Sequence, residues 1–163
     1  MEAQDEGYTI RNAHTSDKDA VAALWMELIR LHHAQDARFT LANDAERVYA
    51  RHTQEMIRSR DGYVFVAIEN ATKQIVGFIM GDLQNRPAYT LPGRYGFISD
   101  VYVQEEHRNS GIGKALYEAM RQAFAARKAD AIQLYAAEAN TDALAFWESL
   151  GMEPFLRLYH IEL

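Results

Sequence analysis

Cysteine is absent from the 163 residues. That excludes disulfides, zinc–thiolate sites and a cysteine nucleophile. Proline is scarce, with three residues, and two of them, Pro87 and Pro92, fall in one short loop. No apolar run approaches the roughly 20 residues of a bilayer-spanning helix, so no membrane partner is expected. Basic residues are outnumbered, 17 Lys+Arg against 23 Asp+Glu, for a net charge of −6. This balance excludes a general polyanion binder, and nucleic acid with it, but leaves room for a local basic cluster holding one phosphorylated group. Residues 1–7 are acidic and polar, unlike a secretory or transit peptide, which makes the cytoplasm the expected location. The six histidines show no metal-ligand spacing. His32 and His33 diverge on a helix, so they read as structural and no metal is expected.

What remains is an ordinary globular balance, 48% apolar and 25% charged, in a length that suits one domain spanning 1–163. Residues 8–11 read as a strand. Ser16 is placed to cap a first helix, with Val21, Leu24, Trp25, Leu28 and Leu31 on one stripe. Asn43 and Glu46 have capping-box spacing before a second helix that shows Ala45, Val48, Tyr49, His52 and Met56 on one face. Residues 63–68 and 75–83 read as a hairpin, and 95–103 as a further strand. Residues 111–128 hold the clearest helix, 131–137 a strand, 141–150 a short helix stopped by Gly151, and 156–163 a final strand. The strand–helix–strand run from 95 to 137 is a crossover, which makes its two strands parallel, whereas the hairpin is antiparallel. A mixed α/β sheet flanked by helices follows.

Chemistry concentrates between Phe97 and Lys114. A strand ends at Val103, a polar loop follows, and a glycine-containing turn opens the strong helix. Helix-start amides are unpaired and sit at the positive end of the macrodipole. Glycine lets such backbone approach a ligand closely, and Arg108 and Lys114 bracket the turn with positive charge. The pattern predicts a phosphate or pyrophosphate site at this helix N-terminus. A P-loop is excluded because Arg108 occupies its first glycine and Ala115 its hydroxyl position. A dinucleotide fingerprint fails at Leu116.

Arg108-x-x-Gly111-x-Gly113 resembles the acyl-CoA pyrophosphate loop of the GNAT N-acetyltransferases, R/Q-x-x-G-x-G/A. Downstream, Asn140-x-x-Ala143-x-x-Phe146-Trp147, followed by Gly151-Met152, is similar to that family's N-x-x-A-x-x-[FL]-Y-x-x-x-G-F segment. The resemblance covers roughly residues 75–152. It implies a mostly antiparallel sheet of six to seven strands with about four flanking helices, splayed between a parallel fourth and fifth strand. It implies acetyl-CoA as co-substrate, with the backbone of Val101, Tyr102 and Val103 pairing with the pantetheine. Arg108, Asn109, Ser110, Gly111, Ile112, Gly113 and Lys114 would hold the pyrophosphate. Asn140 would reach the pantetheine, and Phe146 and Trp147 would wall the thioester.

The reaction so implied is direct acetyl transfer to a primary amine of a small molecule or peptide in a ternary complex. An alternative is a non-catalytic acyl-CoA-binding or sensing module. Asp100, on the strand just before the pantetheine-pairing residues, is the base candidate, ahead of Ser99, Glu138 and Glu105. Simple alternation puts Ile98, Asp100 and Tyr102 on one face and Val101 and Val103 on the other. Trp147 departs from the family's usual tyrosine and lacks its acidic hydroxyl. Tyr102, Tyr135 and Tyr159 are candidate substitutes. A homodimer is expected, with the apolar, strand-like C-terminus as its local hint.

Overall fold

The computed structural model describes residues 3–4, 7–91 and 93–163. Most of the acidic N-terminus, read above for targeting, and Pro92 of the loop lie outside the described residues. Six strands follow chain order across one sheet: β1 (Ala3–Gln4), β2 (Tyr8–Asn12), β3 (Gly62–Glu69), β4 (Ile75–Asn85), β5 (Arg94–Val103) and β6 (Ala131–Leu134). Neighbours from β1 to β5 are antiparallel, and β5 and β6 are parallel. The parallel pair is thus the one that the sequence, counted from Tyr8, numbers fourth and fifth. Helices α1 (Lys18–Gln35) and α2 (Ala45–Arg58) separate β2 from β3. Helix α3 (Ile112–Ala126) makes the β5–β6 crossover, and α4 (Thr141–Ser149) follows β6.

The continuous apolar run of β3 is explained by burial on both sides. Val64 and Val66 pack with Val21, Leu24, Tyr49 and Phe78 beneath α1 and α2. Phe65 and Ala67 pack with Leu116, Met120, Phe124 and Trp147 beneath α3 and α4. Phe124 lies so close to the sheet that a Cβ on Gly96 would sit 2.0 Å from its Cδ2. Gly96→Ala is therefore expected to destabilise the fold by about 1–3 kcal/mol through overpacking. Chemical denaturation checks this, and adding Phe124→Leu should recover part of the loss.

Three local expectations change. Ser16 does not cap α1: a 3₁₀ turn at Thr15–Asp17 precedes the helix, and the Asp17 carboxylate accepts from the His14 amide (2.7 Å) and from Arg11 Nη1 (2.7 Å). Asn43 does not cap α2, whose N-cap is Asp44 without a side-chain hydrogen bond. The buried face of α2 is also rotated, carrying Tyr49, Ala50 and Thr53, while Val48 and His52 are exposed.

Two further differences shape the site. Met80 of β4 pairs with Asp100, but Gly81 pairs with Ile98, so Ser99 is an extra residue in β5. This bulge reverses the alternation. Asp100 and Tyr102 stay together, on the α1 side, but Ile98 joins Val101 and Val103 on the α3 side. The expected grouping of Ile98 with Asp100 is thereby corrected. Pairing with β6 also stops at Ile98–Leu134. β6 ends three residues earlier than expected, at Leu134.

Residues 156–163 form no strand, contrary to expectation. A strand exists only where an edge supplies its hydrogen bonds, and the tail pairs with no strand among the described residues. Phe155, Leu156, Leu158, Tyr159, Ile161 and Leu163 are all exposed.

Candidate active site

Past Ile98–Leu134, β5 and β6 no longer pair, and one wall of this gap, the candidate cleft, is built from backbone. Beyond Ile98, the outer edge of β5 has no strand partner among the described residues. Val101, Tyr102 and Val103 line that edge, half-buried. The Val103 carbonyl accepts from Arg108 Nε (3.0 Å), and the Arg108 guanidinium lies over the Tyr102 ring, 5.5 Å from its centroid.

At the cleft mouth the chain turns into α3. Asn109 has φ +59° and Gly111 φ +86°, both left-handed. Asparagine tolerates that region, and glycine is at ease in it. The turn sets Gly111 as N-cap, and the first amide to close onto the helix is that of Ala115, donating to the Gly111 carbonyl (3.0 Å). The amides of Ile112, Gly113 and Lys114 come before it and have no intrahelical acceptor. Gly113 is helical rather than left-handed. Its role is proximity: a Cβ there would lie 3.4 Å from the Phe146 ring. Ser110 hydroxyl donates to the His107 carbonyl and steadies the turn. Arg108, Asn109, Ser110 and Lys114 are exposed, whereas Ile112 is buried as the helix's anchor in the core. This donor set fits a diphosphate: several converging amides, a positive helix end and two cationic side chains.

The second wall comes from α1 and α4. Asn140 caps α4, its Oδ1 accepting from the Ala143 amide (3.1 Å). That bond turns its Nδ2 toward His32 Nε2 (3.4 Å). His32 therefore acts as acceptor at Nε2 and carries its proton at Nδ1. Burial lowers its pKa below 6.5, against the opposing pull of the Asp100 carboxylate. The Phe39 ring, from the connection between α1 and α2, tilts against His32 at 5.0 Å.

Asp100 faces this wall. Its Oδ1 accepts from Trp25 Nε1 (3.1 Å). Trp25 stacks on Tyr49, with centroids 4.1 Å apart and planes 10° from parallel. The Tyr49 pKa is pushed well above 10 by burial and by the Asp100 charge beside it. A second carboxylate stands one step along the same face: Glu27 accepts from the Tyr102 hydroxyl (3.0 Å) and from Gln104 Nε2 (3.4 Å). Burial and Glu27 together raise the Tyr102 pKa.

Trp25, Glu27, His32 and Tyr49 were not singled out as site residues by the sequence. For Trp25 and His32 the signal was the α1 stripe, because Trp25, Leu28 and His32 recur at i, i+3 and i+7, and for Tyr49 it was the apolar face of α2; Glu27 carried none. Of the other weighed residues, Ser99 bonds to the Met80 carbonyl (3.3 Å) and Glu138 is exposed. Glu105 lies in a 3₁₀ turn and is exposed as well. Trp147 is buried at 7% exposure, edge-on to Phe146 (4.9 Å) and Tyr117 (6.0 Å). Tyr135 and Tyr159, the candidate substitutes beside Tyr102, are both exposed. No group of three or more potential metal ligands occurs among the described residues.

The model of the acetyltransferase (GNAT) family matches residues 25–152. The chain belongs to that family. No curated protein matches the sequence. Among solved structures, a tetramutant of the BH1408 protein from Bacillus halodurans is similar at 25% identity and a TM-score of 0.85, over 94% of this chain and 99% of that one. The aminoglycoside N-acetyltransferase AAC(6')-Iy, solved in complex with CoA, superposes with a TM-score of 0.78 at 14% identity, covering 100% and 99% of the two chains. Glucosamine-6-phosphate N-acetyltransferase from Arabidopsis thaliana superposes with a TM-score of 0.72 at 19% identity, covering 96% and 99%. The cleft, the bulged strand and the glycine turn therefore lie within a GNAT acetyltransferase fold.

Proposed function

We propose that this chain is an acetyl-CoA-dependent N-acetyltransferase, a single domain over residues 1–163, acting on a primary amine of a small molecule or peptide. The observation that carries this reading is the unpaired β5 edge at Val101–Val103, which leads into the left-handed Gly111 turn. Extended pantetheine suits the first and a diphosphate the second. Acetyl-CoA would supply the activated carbonyl and a thiolate that leaves readily at neutral pH. The chain's own contribution is positioning, which removes much of the entropic barrier, and a backbone N–H near Val101 aimed at the developing oxyanion.

On the acceptor side, Asp100 and Glu27 make the α1 face of β5 negative, which suits an amine that arrives protonated, as alkyl amines with pKa near ~10 do. Asp100 is the group that draws the ammonium and takes its proton, directly or through water. The aminoglycoside and glucosamine-6-phosphate acceptors named for two structural relatives are small polar amines of this chemical class. Trp147, buried where the family pattern has tyrosine, leaves thiolate departure to proceed without a side-chain acid.

A thermal-shift series with CoA, acetyl-CoA, ATP and NAD tests the ligand, because whatever prefers the folded state raises Tm. The two CoA species should stabilise the protein, and ATP and NAD should not. An amine panel with acetyl-CoA then separates transfer from the non-catalytic reading, which the buried Trp147 favours and which predicts stabilisation without turnover.

His32 gives a pH signature. Its pKa lies below 6.5 in the folded protein. Above that value it is neutral and leaves Asp100 free for the ammonium. As the pH falls through it, His32 becomes a cation beside Asp100 and competes with the substrate. KM for the amine is expected to rise on acidification with a midpoint below 6.5, while KM for acetyl-CoA stays flat. His32→Gln should remove that rise. Stability carries the same sign, since a lowered histidine pKa destabilises the fold as pH drops below the unfolded value.

A further inference from the structure

We propose that Arg108 selects the acyl donor: it shields the β5 edge and yields it to a donor that carries a diphosphate. The inference rests on the acetyl-CoA reading above and adds a specificity role for one side chain. The direction of one carbonyl comes first. The Gln104 amide donates to the Val76 carbonyl of β4 (2.9 Å). The peptide joining Val103 to Gln104 is trans, so its C=O points opposite to its N–H. The Val103 carbonyl therefore faces away from β4, onto the outer edge of β5. Alternate residues of a strand present their backbone groups to the same side, so Val101 shares that edge. An extended ligand with amides of its own must engage these groups to pair with the strand.

The Val103 carbonyl is already engaged. Arg108 Nε donates to it (3.0 Å), and the guanidinium rests on the Tyr102 ring, 5.5 Å from the centroid. That ring is a fixed seat, because its hydroxyl donates to Glu27 of α1 (3.0 Å). Gln104 Nε2 donates to the same carboxylate (3.4 Å). The Arg108 backbone is tied down as well, its amide donating to the Glu105 carbonyl (3.2 Å). Its side chain is exposed, so the guanidinium can leave its seat while the main chain stays in place.

Gly111, the N-cap of α3, follows Arg108 closely in the chain. One guanidinium therefore stands between two kinds of acceptor: a neutral carbonyl on the strand edge and a diphosphate at the helix start. It prefers the second, because its hydrogen bonds to phosphate are charge-assisted and bidentate. A donor with a diphosphate draws Arg108 off the edge as it binds, and the donor's own amides take over the Val103 carbonyl. A donor made of pantetheine alone must break the same contacts and offers the guanidinium nothing in return. Selection of this kind comes from the contact set against the wrong ligand as much as from the one made with the right one.

Titration calorimetry of the full-length chain with coenzyme A and with pantetheine tests this. The chain has no cysteine, so the pantetheine thiol has no disulfide partner on the protein. Arg108→Met keeps an unbranched apolar stem and removes both contacts. It should bind pantetheine about three- to tenfold more tightly than the unsubstituted chain, the size of one hydrogen bond and one exposed cation–π contact. Its affinity for coenzyme A should fall. Tyr102→Leu removes the seat but leaves the cation for the diphosphate. It should also gain affinity for pantetheine, without the loss for coenzyme A. Pantetheine affinity no higher in Arg108→Met than in the unsubstituted chain overturns the proposal, because the edge contact then holds nothing back. A parallel loss of both ligands in Tyr102→Leu overturns it too, by making the ring part of the binding surface. Failure of the underlying reading looks different: the unsubstituted chain would then bind no coenzyme A, and both would fall together.

Discussion

Gly111→Val is expected to weaken coenzyme A binding by about tenfold or more, equivalent to ~1.4 kcal/mol or more. Gly111 has φ +86°, and its missing Cβ would meet only the Tyr8 hydroxyl at 3.5 Å. The penalty is thus conformational rather than steric. An L-residue in this region costs about 1–2 kcal/mol, and a β-branched one resists it more strongly. The chain can relieve the strain only by unwinding the turn that aims the Ile112, Gly113 and Lys114 amides. Gly113→Ala is the control. It sits in ordinary helical geometry, with Phe146 at 3.4 Å, and should keep most of the affinity. Titration calorimetry on variants that melt cooperatively separates the two. Equal losses at both positions would mean that crowding near Phe146, rather than amide orientation, governs binding.

The second large effect is expected at Asp100. Asp100→Asn keeps the shape and still offers Trp25 Nε1 an acceptor, so the stack of Trp25 on Tyr49 should persist. What disappears is the charge that draws the ammonium and takes its proton. A general base contributes about 10²–10⁴-fold, so kcat/KM for the amine should fall by that order while coenzyme A affinity and Tm hold. A rise in amine KM with kcat unchanged would reduce Asp100 to an anchor and shift the proton to water or to another group.

The sequence carried these two positions unequally. The glycine turn was legible because its demands are local: a residue free to take positive φ, a helix start and flanking cations can all be read within a few residues. Asp100 was found by its place on a strand, and its facing survived. The neighbouring parity did not, because the extra residue at Ser99 depends on pairing with β4, which no single strand records. Trp25, Glu27, His32 and Tyr49 were hidden for a related reason. They looked like ordinary members of amphipathic helices, and only the packing of α1 and α2 against the sheet brings them beside Asp100 and Tyr102.

Helix caps were misplaced by one residue for want of the same context, as at Asp17 and Asp44. The C-terminal strand was read from a pattern that is real, but the tail pairs with no strand among the described residues. The antiparallel hairpin, the parallel crossover and the mixed sheet flanked by helices followed from hydrophobic pattern and chain direction alone, the strongest signals a single sequence holds.

The account rests on acetyl transfer from acetyl-CoA to an amine, and the direct measurement is mass spectrometry of a panel of amines incubated with acetyl-CoA and the purified protein. The predicted result is the mass of one acetyl group gained by at least one amine, matched mole for mole by free CoA thiol and lost in Asp100→Asn. Coenzyme A binding with no acetylated amine in any reaction, and thiol release no faster than hydrolysis, would contradict it.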